Sequence, residues 1–117
     1  MKKKTGHYGE QLSRKYFINK GYLILNSNYR TRLGEIDIIA QKDDTIIFVE
    51  VKTRKTMTFG LAREAVNYKK QVTLIKLAEQ YIQYKKLKNM NFRFDVMEVQ
   101  WNENKNQYEI NHIENAF

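Results

Sequence analysis

Gly34-Glu35-Ile36-Asp37-Ile38-Ile39-Ala40-Gln41 and Thr45-Ile46-Ile47-Phe48-Val49-Glu50-Val51-Lys52-Thr53, separated by Lys42-Asp43-Asp44, form the stretch that decides the fold. Both runs are rich in β-branched residues, and the polar triplet between them suits a hairpin turn. They predict two antiparallel strands, Glu35 to Gln41 and Thr45 to Thr53. Side chains alternate across a strand. Glu35, Asp37 and Ile39 therefore share a face of the first strand, and Ile46, Phe48, Glu50 and Lys52 share a face of the second.

Asp37 lies six residues before Asp43 and Glu50 seven after it, so pairing about the turn brings the two acids level. A slip of one residue would flip a face. Acids set among Ile36, Ile38, Ile39, Ile47, Phe48 and Val49 are costly unless paired or bound to a cation. Adjacent carboxylates repel, and a hard divalent ion, Mg²⁺ or Mn²⁺, is the usual remedy. Lys52 would project its ammonium beside the same site, to orient or deprotonate a water or to stabilise charge on a phosphate. The Val51 carbonyl is a further candidate ligand. The competing reading is structural, because an acid, an apolar residue and a lysine are commonplace on a solvent-facing strand.

Upstream, a helix is expected from about Gly6 to Lys20, stopped by Gly21, with Tyr8, Leu12, Tyr16 and Phe17 as its apolar stripe. Glu10 lines up with Ser13 and Phe17, which turns it toward the sheet; a solvated acid favoured by the helix dipole is the alternative. Tyr22 to Leu25 and then Asn28 to Arg30 read as a first strand with an irregular end. Downstream, a loop from Arg54 to Phe59 leads to a short helical segment around Leu61 to Val66. The longest helix is expected over Tyr68 to Leu87, with Leu74, Ile75, Ala78, Tyr81 and Ile82 as its core face and Gln71 at the start of that face. Phe92 to Trp101 reads as a strand, Asn102 to Gln107 as a polar turn, and Tyr108 to Ile113 as a final edge strand. With no linker and no repeat, residues 1–117 read as one α/β layered domain.

The absence of cysteine excludes disulfides and cysteine-built zinc sites. His7 and His112 are far apart and are read as surface residues. No apolar run approaches the roughly 20 residues of a membrane helix. Lys2, Lys3 and Lys4 are not followed by the apolar segment of a signal peptide, so a cytoplasmic protein is expected. With 21 Lys and Arg against 13 Asp and Glu, the net charge is +8, which suits a nucleic-acid partner. Arg30, Arg32, Arg54, Lys55, Lys70 and Gln71 are the candidate nucleic-acid contacts around the acids, the alternative being a solvated basic surface. Tyr8, Tyr29, Phe59 and Tyr68 could stack on bases, although packing is the commoner use. Arg93 and Asp95 alternate on one strand face and are read as a structural ion pair.

On the two central runs, together with Gly9-Glu10, Phe59-Gly60, Lys70-Gln71, Arg93-Phe94-Asp95-Val96 and Asn115-Ala116-Phe117, the chain resembles the small bacterial YraN-like family of uncharacterised proteins. That family is similar to the PD-(D/E)XK nucleases, most closely the archaeal Holliday-junction resolvases. The resemblance implies a single restriction-endonuclease-like domain, an αβββαβ core whose central mixed sheet is flanked by helices. It implies Asp37 and Glu50 as metal ligands, Lys52 serving the attacking water, and Glu10 as the counterpart of the resolvases' helix acid. It implies Mg²⁺ (or Mn²⁺) as cofactor and a metal-dependent endonuclease acting on DNA, including branched or structured DNA, with RNA left open and a twofold homodimer as the assembly. The proline that precedes the superfamily's first acid has no counterpart, since Ile36 precedes Asp37. Two rivals share the fold: a non-catalytic nucleic-acid-binding module, and a protein-interaction subunit.

Overall fold

The computed structural model describes residues 2–54 and 66–117, with the backbone alone for residues 2–6. Its elements are α1 (Lys2–Asn19), β1 (Leu23–Thr31), β2 (Gly34–Lys42), β3 (Thr45–Arg54), α2 (Tyr68–Lys85), β4 (Asn91–Asn102) and β5 (Gln107–Ile113). The loop and short helical segment expected between Arg54 and Val66, with Lys55 and Phe59, lie outside the described residues.

The strands form a mixed sheet in the order β1-β2-β3-β4-β5, with β3 and β4 parallel and every other neighbouring pair antiparallel. α2 makes the crossover that a parallel pair requires. The expected αβββαβ order is therefore present, and β5 extends it along the far side of β4. The β2–β3 hairpin closes at Lys42↔Thr45 on a two-residue turn, with Asp43 in the left-handed region at φ 54°. Aspartate tolerates that conformation better than most residues.

Apolar residues on the two faces of the sheet build two cores. Ile39, Ile46, Phe48 and Val96 pack against Leu74, Leu77, Ala78 and Tyr81 of α2. Ile38, Ala40, Ile47, Val49, Met97 and Val99 pack around Phe17 of α1. Both phases differ from the expected stripes. In α2, Leu77 takes the place given to Ile75, which is 41% exposed: buried positions 74, 77, 78 and 81 follow the i, i+3, i+4, i+7 pattern, and Ile75 falls beside it. In α1, Gly9, Ser13 and Phe17 are buried, Leu12 and Tyr16 are half-buried, and Tyr8 is largely exposed against Tyr108. The small residues let α1 approach closely; a methyl group on Gly9 would collide with the Thr53 hydroxyl.

Each helix ends on a left-handed residue that lets the next two amides return to the last turn. Gly21 (φ 91°) does this for α1, with Gly21 N–H to Ile18 O and Tyr22 N–H to Phe17 O. Lys86 (φ 53°) does it for α2, where glycine would be unstrained. At its other end α2 is capped by Asn67, whose side chain accepts the Lys70 N–H at 2.8 Å. Among the described residues, no helix is long and apolar enough to cross a membrane.

Candidate active site

The β2–β3 ladder runs from Lys42↔Thr45 to Ile38↔Val49 and stops there. The next pair in that register would be Asp37 and Glu50, level with each other as the hairpin reading expects. The β1–β2 ladder is also interrupted at this point: Ser27↔Ile38 is followed by Tyr29↔Ile36, and Asn28 between them has φ 54°. β3 thus parts from β2 at Asp37, while β1 keeps one register on either side of it.

The interruption also changes which way β2 faces. Ile36 packs with Ile39 under α2, three residues apart, while Ile38 packs under α1. Unbroken alternation would have placed Ile36 with Ile38. The alternation therefore slips by one residue between Ile36 and Ile38, so the face expected for Glu35, Asp37 and Ile39 does not run unbroken through β2. β3 is regular, and its alternation through Ile46, Phe48, Glu50 and Lys52 holds.

In the gap, Asp37 Oδ2 accepts the Val51 N–H at 2.8 Å, replacing the missing ladder partner. A strand residue that turns its N–H toward a neighbour turns its C=O the same way, so the Val51 carbonyl lies on the same edge of β3. The Asp37 carboxyl is pushed up from 3.8 to about 8, first by burial and then by the charge of Glu50; a side-chain hydrogen bond to Glu50 and the charge of Glu10 add to this, and the Val51 N–H opposes it. Glu50 is only 5% exposed and meets two ammonium groups: Lys70 Nζ at 3.4 Å from Oε2, and Lys52 Nζ at 3.7 Å from the same oxygen.

The expected residues Asp37, Glu50, Val51 and Lys52 are thus gathered in one place, with Glu10 close enough to influence Asp37. Lys70 joins them from the first turn of α2. The remaining expected contacts are differently placed. Arg30 is exposed and pairs with Glu35 at 2.7 Å, Arg32 is exposed in the β1–β2 turn, and Arg54 Nε lies 3.2 Å from the buried Glu98. Gln71 is half-buried and donates to the Val66 carbonyl at 2.8 Å, tying the start of α2 to the residue before its cap. Of the aromatic candidates, Tyr29 packs edge-on against Tyr81, and Tyr68 is exposed.

The donor set suits a small hard cation. Asp37 and Glu50 offer carboxylate oxygens, Val51 offers a carbonyl, and a cation would relieve the repulsion that lifts Asp37. Among the described residues, His, Cys, Asp and Glu side chains nowhere gather in a group of three or more able to hold an ion, so further ligands would be backbone or water oxygens.

A second polar centre lies under α1. Asp95 is fully buried and accepts two hydrogen bonds from Arg93, at 2.8 Å each, and one from the Asn115 N–H at 3.0 Å. His112 Nε2 lies 2.7 Å from Asp95, and its Nδ1 is 3.1 Å from the Tyr16 hydroxyl. Burial would raise the Asp95 carboxyl, but hydrogen bonds from His112, Arg93 and Asn115 hold it below the ordinary carboxylate value. The expected Arg93–Asp95 pair is present. The reading of His112 as a surface residue is corrected: its side chain is 10% exposed and ties β5 to β4 and α1.

The chain matches the model of the uncharacterised protein family UPF0102 over residues 9–99. A UPF0102 protein of Alkaliphilus oremlandii is 58% identical over 119 residues, covering 100% of both chains. One from Clostridium acetobutylicum is 50% identical over 100% of this chain and 96% of its own, and one from Caldicellulosiruptor bescii is 49% identical over 98% of each. With the family model covering more than half the chain and these relatives matching nearly all of it, the chain belongs to the uncharacterised protein family UPF0102.

Proposed function

We propose that this chain hydrolyses phosphodiester bonds in DNA with a divalent cation, Mg²⁺ or Mn²⁺, held by Asp37 and Glu50. The observation that carries the reading is the acid pair: Asp37 lies level with Glu50 where the β2–β3 ladder ends, with Asp37 raised to about 8 by burial and by the charge of Glu50. Such a pair destabilises a fold unless something compensates it, and apolar residues would serve a purely structural role better. When bound, the cation would supply Lewis acidity and offset negative charge on the phosphate.

The chain's own groups have separable tasks. The Val51 N–H fixes the Asp37 carboxylate, and the regular β3 backbone fixes Glu50 beside it. Lys52, on the same face as Glu50, would orient the attacking water and offset the negative charge that develops as that water gives its proton to solvent. Glu10 approaches from α1. The net charge of +8 and the exposed Arg32 and Lys69 support phosphate contacts. The resemblance to junction resolvases favours branched or structured DNA and a twofold dimer.

A non-catalytic nucleic-acid-binding module is the second reading. Lys52 and Lys70 favour it, because they neutralise Glu50 without a cation. The test is a cleavage panel of single-stranded, duplex, flapped and four-way DNA, with and without Mg²⁺, on wild type and Asp37→Ala. Mg²⁺-dependent cuts lost in the variant support hydrolysis. Salt-sensitive binding without cuts supports the module. Failure to bind any of the substrates at low salt would sink both.

A further inference from the structure

We propose that Lys70 is a phosphate-positioning residue held in reserve by Glu50: it neutralises Glu50 when no divalent cation is bound, and turns its ammonium to a nucleic-acid phosphate when one is. The inference rests on the cation site proposed above and assigns a role that Lys52 does not fill.

Three observations carry it. First, Lys52 and Lys70 come from different elements, β3 and α2, yet both approach the same oxygen, Glu50 Oε2. A cation at Asp37 and Glu50 would repel both ammoniums, so at least one must turn away. Second, their separations of 3.7 and 3.4 Å exceed the about 2.7–2.9 Å of a tight charge-assisted hydrogen bond, so either ammonium is held by charge more than by fixed geometry. Lys70 has the freer side chain, 43% exposed against 34% for Lys52.

Third, the Lys70 backbone is clamped while its side chain is not. Its N–H is bonded to the Asn67 cap, and Gln71 beside it holds the Val66 carbonyl. The first turn of α2 contains Lys69 and Lys70 and no acid, although the helix dipole favours acids there. A lysine in that position works against its own helix and is compensated by Glu50. A phosphate brought to the site would offer the same compensation. Glu50 is buried while the Lys70 side chain is 43% exposed, so the ammonium lies between the acid and solvent-accessible surface.

The test uses the full chain with Mn²⁺ alone as the first probe and a labelled four-way DNA junction in Ca²⁺ as the second. Calorimetry measures Mn²⁺ affinity, and fluorescence anisotropy measures DNA affinity across salt concentrations, for wild type, Lys70→Gln, Lys70→Arg and Asp37→Asn. Lys70→Gln is expected to bind Mn²⁺ about three- to tenfold more tightly, because a competing cation is gone. Its dependence of log affinity on log salt should be shallower by about one, because a phosphate contact is gone. Lys70→Arg should restore both. A structural role alone would move neither reading in these directions. Unchanged or weaker Mn²⁺ binding in Lys70→Gln, or an unchanged salt slope, overturns the inference. If wild type binds Mn²⁺ and Asp37→Asn does not, such a result leaves the proposed cation site standing. If wild type takes up no Mn²⁺, the site and the inference fall together.

Discussion

Asp37 Oδ2 accepts the Val51 N–H at 2.8 Å across the point where β2 leaves β3. The bond fixes the carboxylate, but it does not overcome burial and the charge of Glu50, which together keep Asp37 protonated up to about pH 8. The consequence for stability has a definite sign. From pH 3.8 to about 8 the folded state holds a proton that the unfolded chain releases, so this group's contribution is full below 3.8 and is lost as pH rises through about 8. Asp37→Asn keeps an acceptor for Val51 and a donor for Glu50 without a titrating proton. Urea denaturation at pH 8.5 should show it more stable than wild type, by several kcal/mol, with the difference vanishing toward pH 4. A gap that is constant across this range would contradict the assignment.

Asp95 should behave in the opposite way. Its carboxyl is held low by His112, Arg93 and Asn115 despite full burial, so its contribution is present above the ordinary carboxylate value and disappears as pH falls through the depressed one. Asp95→Asn leaves Arg93 without its bidentate partner and should cost about 3–5 kcal/mol at pH 7. The loss should shrink in acid. Chemical denaturation at pH 7 and pH 3 checks both statements.

Gly9→Ala should destabilise by about 1–3 kcal/mol, since the added methyl meets the Thr53 side chain where α1 lies against β3. The cost should be smaller in a Thr53→Ala background, where the colliding hydroxyl is absent. Thermal melts of the two single variants and the double variant measure that coupling. Additive losses would mean that the approach of α1 to β3 is looser than described.

Lys86→Gly should stabilise the chain by about 1 kcal/mol, because φ 53° is strained for lysine and free for glycine. The thermal midpoint should rise, with no change in Mn²⁺ or DNA binding.

Much of this architecture is readable from the chain. The level placement of Asp37 and Glu50 follows from a two-residue turn between two β-branched runs, a local feature. The slip in β2 is not local: it lies opposite Asn28 of the neighbouring strand, at φ 54°, and no pattern within β2 reveals it. The burial of His112 is hidden from the sequence for a similar reason. It sits on an edge strand among polar residues, and its partners Asp95 and Tyr16 are brought to it by the β4–β5 register and the docking of α1. The α2 error was one of phase, since Leu74 and Ala78 are shared by the stripe containing Ile75 and the one containing Leu77. Lys70 is legible as a candidate phosphate contact, but its approach to Glu50 depends on how α2 docks on the sheet.

The central claim, that Asp37 and Glu50 form a cation site, is tested most directly by adding substoichiometric Mn²⁺ to isotope-labelled protein and mapping the paramagnetic broadening of backbone amides. Broadening is expected to centre on Asp37, Ile38, Glu50 and Val51 in wild type, with none there in Asp37→Asn. Broadening centred elsewhere, or the same broadening in the variant, would contradict it.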